Sequence, residues 1–337
     1  YKTGHKLNAA VAVLGVLGVA ALIGERLLPE FEFVRPEPVE EIPLRPVYDS
    51  PLAAGVPKEI TSYTLSNGLR IIVWPDHDIP NVALYNFVRA GGRNEYPGIS
   101  GLSHFFEHMM FNGTDKLEPG EFDRIMEAAG GSNNAYTSND LTVYQDWFPR
   151  SALKTIFEIE AERLASLEFD EKMIDSERSV VFSERRRGID NDNFGRLYEQ
   201  MRAAAFVAHP YRLPVIGWPS DVERWTKEDL EAYFKTYYAP NNCTMVFSGA
   251  VSPGEIFLLA EQYFAPIPRQ NPPPPVRTIE PEQRGERRIL VEADAPAPLL
   301  HLAFHTGAAA DPETRHMNLL LQVLVGDTSS RLHRQLV

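Results

Sequence analysis

The sequence predicts an α+β fold: a half-domain whose mixed, largely antiparallel sheet packs on helices, followed by the start of a homologous second half. Three observations carry this. Short β-rich runs recur at residues 60–64, 69–74, 82–88, 132–138, 141–148 and 243–248. Runs of helical period lie among them without the regular strand–helix alternation of a doubly wound parallel sheet. The chain has 337 residues, 44% of them hydrophobic, which is ample for one or two cores.

In chain order, an apolar run at 9–23 comes after Lys2 and Lys6. Its length suits either an uncleaved membrane anchor or the core of a cleaved signal peptide within residues 1–28, and either one exports the rest of the chain. The first residue is Tyr1 and not Met, so the natural start is expected upstream. Residues 29–57, rich in Pro and Glu without a period, read as a tether. Asn67-Gly68 joins the first two strands as a hairpin turn. The strand at 82–88 ends before Gly91 and Gly92, and Ser100 opens a helix to about residue 111. A helix at 119–129 is stopped by Gly130 and Gly131. Two strands and two long amphipathic helices, 152–167 and 171–188, come next. A helix at 227–237 and another at 254–264 flank the strand at 243–248, completing a half-domain at 58–268.

Pro272 to Pro275 mark 269–285 as a linker. Strands at 288–292 and 299–304 and a helix at 316–325 then begin a second half, 286–337, expected to be truncated at Val337. A shift of 216 residues sets Gly307 on Gly91. It puts Leu320, Val323 and Leu324 where the first half carries its histidines and glutamate, so the second half is expected to hold no metal.

A net charge of −13 and a pI near 5.2 exclude the basic footprint of a nucleic-acid binder. An acidic surface suits basic peptides, but a surface charged simply for solubility is the commoner reason for it. The single cysteine, Cys243, excludes an internal disulfide and any multi-cysteine zinc site.

The chemistry sits in His104-Phe-Phe-Glu107-His108. Two histidines four apart on a helix project from one face and can share a metal. Glu107 flanks that face, where it can hold and deprotonate a water. With 9 histidines and 46 acidic residues, chance supplies only about 0.03 such His-x-x-acid-His strings per chain. A catalytic zinc needs a third protein ligand and an open position. Glu177 and Glu184, seven apart on the 171–188 helix and beside Val180, Val181 and Phe182, are the candidates. Spacing alone leaves them open, because the same helix is highly charged and its face could be merely solvated.

These stretches resemble the pitrilysin/insulinase family of zinc peptidases, which includes the mitochondrial processing peptidases. In that family a glutamate ligand comes about 75 residues after the inverted motif, and His108 to Glu184 is 76. The likeness spans about 59–268 and includes Gly130-Gly-Ser-Asn-Asn134-Ala-Tyr-Thr137, Glu177-Arg-Ser-Val-Val-Phe-Ser-Glu184, His209-Pro-Tyr-Arg212 and Pro240-Asn-Asn242. The resemblance implies that His104, His108 and Glu184 bind one Zn2+, that Glu107 is the general base, and that Glu177 supports the site from outside the ligand set. It further implies substrate docking by strand addition along 132–137, with Asn134 and Ala135 beside the metal. A zinc endopeptidase acting on extended or unfolded peptides is the function expected. It would be exported, periplasmic or membrane-anchored if the source is bacterial, and would work as a homodimer or with an inactive partner subunit. The alternatives are a non-catalytic, structural or chaperone-like relative, and a different hydrolase built on the same motif.

Overall fold

The structure, a computed structural model, describes residues 11–13 and 60–336. Its strands are β1 (Val11–Val13), β2 (Thr61–Thr64), β3 (Arg70–Pro75), β4 (Asn81–Val88), β5 (Ser132–Thr137), β6 (Thr142–Pro149), β7 (Cys243–Gly249) and β8 (Ala303–His305). Its helices are α1 (Leu102–Met109), α2 (Glu121–Ala128), α3 (Leu153–Ala165), α4 (Glu171–Arg185), α5 (Asn193–Ala205), α6 (Pro219–Val222), α7 (Lys227–Tyr237), α8 (Pro253–Tyr263), α9 (Pro312–Val325) and α10 (His333–Leu336).

One compact unit contains residues 60–294. Its six strands run in the order β2-β3-β7-β4-β6-β5, every pair antiparallel except β3 with β7. This is the expected α+β architecture. The β2–β3 hairpin closes at Asn67-Gly68: Gly68 takes a φ of +93°, and Asn67 accepts from Leu69 N while donating to the carbonyls of Phe264 and Ile267.

Period two sorts each strand between two faces. Val82, Leu84 and Val88 of β4 are buried, as are Ile71 and Val73 of β3 and Met245 and Phe247 of β7. This face lies on the helices, with Phe157 of α3 stacked on Phe247 at 4.9 Å. On the other face Tyr85 meets Trp147 edge-on at 6.2 Å, and Trp147 is exposed. Under the sheet Arg163 and Glu160 form a fully buried ion pair, with the guanidinium 4.5 Å from the centre of the Phe122 ring.

Three sequence expectations need correction. The expected elements omit helix α5, although Asp192 caps it by accepting from Gly195 N at 2.5 Å and Arg202 stands in its last turn. Residues 288–292, expected as a strand, take no regular structure: among the described residues they have no ladder partner, and Leu290 is exposed. The 171–188 helix is α-helical only to Arg185, and Arg186–Asp190 continues it as a π-helical turn. The Pro-rich stretch lies along the same unit. Asn241 bonds both backbone groups of Gln270, and buried Glu280 accepts from Val207 N, Ala208 N and His209 N at 2.8, 3.0 and 2.8 Å.

A second compact unit contains β1, β8, α9 and α10. Here β1 and β8 pair antiparallel with Val11 opposite His305. The strand expected at 299–304 is shorter and shifted, forming only at Ala303–His305 as β8, and the helix expected at 316–325 begins earlier, at Pro312. Apart from Val11–Val13, the residues read as anchor or signal and as tether lie outside the described residues. No helix among the described residues is long and apolar enough to cross a membrane.

Candidate metal centre

Helix α1 begins where two backbones touch. Gly101, its N-cap, has a φ of +91°, and a Cβ there would lie 2.7 Å from Gly217 Cα and 2.7 Å from Ile216 O. A glycine cannot cap with a side chain, so Glu95 caps from a distance. Its buried carboxylate accepts from Gly101 N and Ser103 N, both at 2.7 Å, and so satisfies amides the helix leaves free. The inner face of α1 is then locked by Phe106, stacked on Tyr233 at 5.3 Å, and by Ser103 Oγ, 2.6 Å from Tyr233 OH. The opposite face carries His104, Glu107 and His108, all half-buried.

Helix α4 supplies the carboxylates by a repeat of period seven. Glu177-Arg178 and Glu184-Arg185 each place a glutamate toward α1 and an arginine about 100° further round. The arginines anchor the helix. Arg178 donates to Val222 O at 2.9 Å and Trp225 O at 2.7 Å. Buried Arg185 is bidentate to Glu199 (2.8 and 3.1 Å) and donates to Gly217 O at 3.0 Å. Gly217 is the same residue that α1 abuts, so both helices share one reference point.

His104, His108 and Glu184 each present a ligand atom, and the three atoms lie within 4.8 Å of one another. Nε2 of His104 and Nε2 of His108 both stand 3.5 Å from Glu184 Oε2. Bonds of about 2.1 Å to corners of a tetrahedron set ligand atoms about 3.4 Å apart, so the spacing fits a zinc ion. Glu177 stands outside this set, with its Oε2 3.3 Å from His108 Nδ1, where it leaves Nε2 bare. His104 Nδ1 is buried without a hydrogen-bond partner among the described residues.

Protonation tracks burial and charge. Burial, reinforced by His108, pushes His104 down to about 3, so it is the neutral imidazole a metal requires. Burial also pulls on His108, but the carboxylates of Glu177, Glu184 and Glu107 outweigh it and hold His108 above the ordinary imidazole range. The His108 hydrogen bond holds Glu177 below the usual carboxylate range. Burial raises Glu107 despite the bond it accepts from Thr137 Oγ1 at 2.6 Å.

The structure thus brings together the five predicted side chains of α1 and α4. It separates the two predicted substrate contacts. On β5, Asn134 is exposed on the open face of the sheet while Ala135 turns to the helix face with Thr137. Thr137 and Glu95 lie outside the predicted set. The first sits within the Asn-Ala-Tyr-Thr stretch, whose period of two could have flagged it. A remote cap such as Glu95 has no spacing signal.

Family models match two consecutive stretches: Insulinase (Peptidase family M16) over residues 71–217, and Peptidase M16 inactive domain over 224–337. The zinc protease PqqE of Helicobacter pylori is 33% identical over 286 residues, covering 82% of this chain and 63% of that protein. The crystal structure of a protease from Helicobacter pylori superposes with a TM-score of 0.77 at 31% identity, covering 84% of this chain and 68% of the other. The first half of the periplasmic protease PqqL from Escherichia coli gives a TM-score of 0.60 at 27% identity, covering 66% and 49%. PqqE is thus longer than the stretch that this chain matches. With its fold, its paired histidines and its consecutive M16 stretches, the chain belongs to the insulinase family, peptidase family M16.

Proposed function

We propose that this chain carries the zinc-binding, catalytic half-domain of an endopeptidase that hydrolyses extended or unfolded peptides. One observation carries the reading: three ligand atoms within 4.8 Å of one another, two of the pairs at 3.5 Å, stand beside a carboxylate that is itself tied to the edge strand β5. His104, His108 and Glu184 would hold one zinc ion, with Glu177 orienting His108. Bound there, zinc would supply a Lewis acid that polarises the scissile carbonyl and acidifies water.

The remaining steps fall to the protein's own groups. Among the described residues the outer edge of β5 has no strand beside it, so a peptide can add there by main-chain hydrogen bonds. Glu107, its proton affinity raised by burial, takes a proton from the attacking water and passes it to the leaving amine. The residues from Ala295 on would begin a second, metal-free half. Export fits the same reading, since PqqL is a periplasmic protease.

The test is Glu107→Gln in the full-length protein, which keeps the shape of the side chain and removes its proton acceptor. Zinc stays bound while turnover of unfolded peptides falls about 10²- to 10⁴-fold. Loss of zinc would make Glu107 a ligand, and retained activity would end its assignment as the base.

A further inference from the structure

Glu107 has a neighbour whose contact is too specific for packing alone. Thr137, the last residue of β5, donates its hydroxyl proton to Glu107 Oε2 at 2.6 Å. This reaches from the sheet edge to the motif helix across thirty positions of sequence. We propose that Thr137 is a positioning residue: its hydroxyl fixes the Glu107 carboxylate through Oε2 in the orientation that receives the proton of the attacking water. The inference rests on the reading of Glu107 as the base.

The rest of the hairpin shows that this hydroxyl is held. The turn after β5 closes through Ser138, whose N donates to Leu141 O at 2.8 Å and whose Oγ accepts from Leu141 N at 3.1 Å. Asp140 in that turn accepts from Arg93 at 2.9 Å and from Tyr211 OH at 2.7 Å. The loop is therefore fastened to two other parts of the half-domain. Directly across the ladder from Thr137, Thr142 donates to Ala90 O at 3.0 Å. Thr142 Oγ1 can then only accept from Thr137, and at 3.5 Å it is a far weaker acceptor than Glu107 Oε2 at 2.6 Å. A carboxylate on α1 without such a bond could turn about its last torsion, which is broad for glutamate.

Position on β5 gives the contact a second meaning. The strand that offers its outer edge to a peptide ends in the residue that holds the base. Main-chain pairing along 132–137 fixes the peptide against the same backbone that carries Thr137. Substrate and base are thereby referred to one strand, which is what a near-attack geometry requires.

The experiment compares Thr137→Val, which keeps the shape and loses the donor, with Thr137→Ser, which keeps the donor. Both are made in the full-length protein and loaded with zinc. For Thr137→Val, kcat on an unfolded peptide falls about 10- to 100-fold, with KM and zinc content unchanged. Thr137→Ser restores most of it, and a crystal structure of the Val variant shows the Glu107 carboxylate rotated away. A Val variant within threefold of the parent overturns the inference. So does a Ser variant as slow as Val, a change confined to KM, or a Val structure with Glu107 in place. If the parent hydrolyses no peptide while the Val variant still displaces Glu107, the peptidase reading fails and the positioning role stands.

Discussion

Gly101→Ala would strike the point from which α1 is aimed. Two costs add. At a φ of +91° an L side chain pays the left-handed penalty, about 1–2 kcal/mol. Its Cβ would also lie 2.7 Å from both Gly217 Cα and Ile216 O. Those are backbone atoms that no rotamer change can move, so relief requires a shift of the chain. Overpacking of this kind costs about 1–3 kcal/mol. The expected destabilisation is therefore about 2–5 kcal/mol, read as a lowered urea midpoint at constant slope. Gly98→Ala is the internal control. Its φ of +106° carries a similar conformational penalty, but a Cβ there meets nothing within 4 Å. That variant should lose only about 1–2 kcal/mol. The difference isolates the Gly101–Gly217 contact. It should also show in zinc affinity, because His104 lies three residues from Gly101 and metal bonds tolerate only about 0.2 Å of error. Equal destabilisation by the two variants, with zinc affinity unchanged in both, would refute the idea that this contact aims the helix.

Two further outcomes are expected. Burial raises Glu95 to about 7, so the folded state holds that proton more tightly than the unfolded chain. The resulting stabilisation is full below a pH of about 4.5 and is lost as pH rises to about 7, by about 3 kcal/mol at most. Glu95→Gln should flatten that slope in urea titrations across the range. Zinc uptake should release protons below and around neutral pH, because the raised His108 must give one up to bind. Calorimetry in two buffers of different ionisation enthalpy measures it, and a count of zero would contradict the assignment.

Much of this was legible in the sequence because it is governed by local rules. The Asn67-Gly68 turn, the alternation along β4 and β6 and the one-turn spacing of His104 and His108 each come from one periodicity or one permitted φ. Glu184 lay at the edge of legibility. Its place beside the histidines depends on Arg178 and Arg185 anchoring α4, and those anchors bond carbonyls and a carboxylate 14 to 47 positions away. The hydroxyl on Glu107 and the cap on α1 were invisible for the same reason. Thr137 and Glu95 are ordinary residues until the chain brings them to their partners. The run at 288–292 failed differently: its β-rich composition is real, but a strand exists only where another strand accepts its hydrogen bonds.

The Glu280 contact bears on how the protein can be cut into pieces. A fragment ending at Pro268, where the Pro-rich stretch invites a boundary, would remove the acceptor of three consecutive amides, at Val207, Ala208 and His209. Only His209 is buried, so its bare donor costs about 1–3 kcal/mol, while the amides of exposed Val207 and Ala208 turn to water. Ala204 O and Ala205 O would lose the guanidinium of Arg287, and Asn193 would lose its acceptor, Asp294 O. The smallest autonomous piece of this half-domain therefore extends through Asp294. Proteases should spare the prolines around 272–275 in the native protein despite their extended look, because the segment is fastened on both sides.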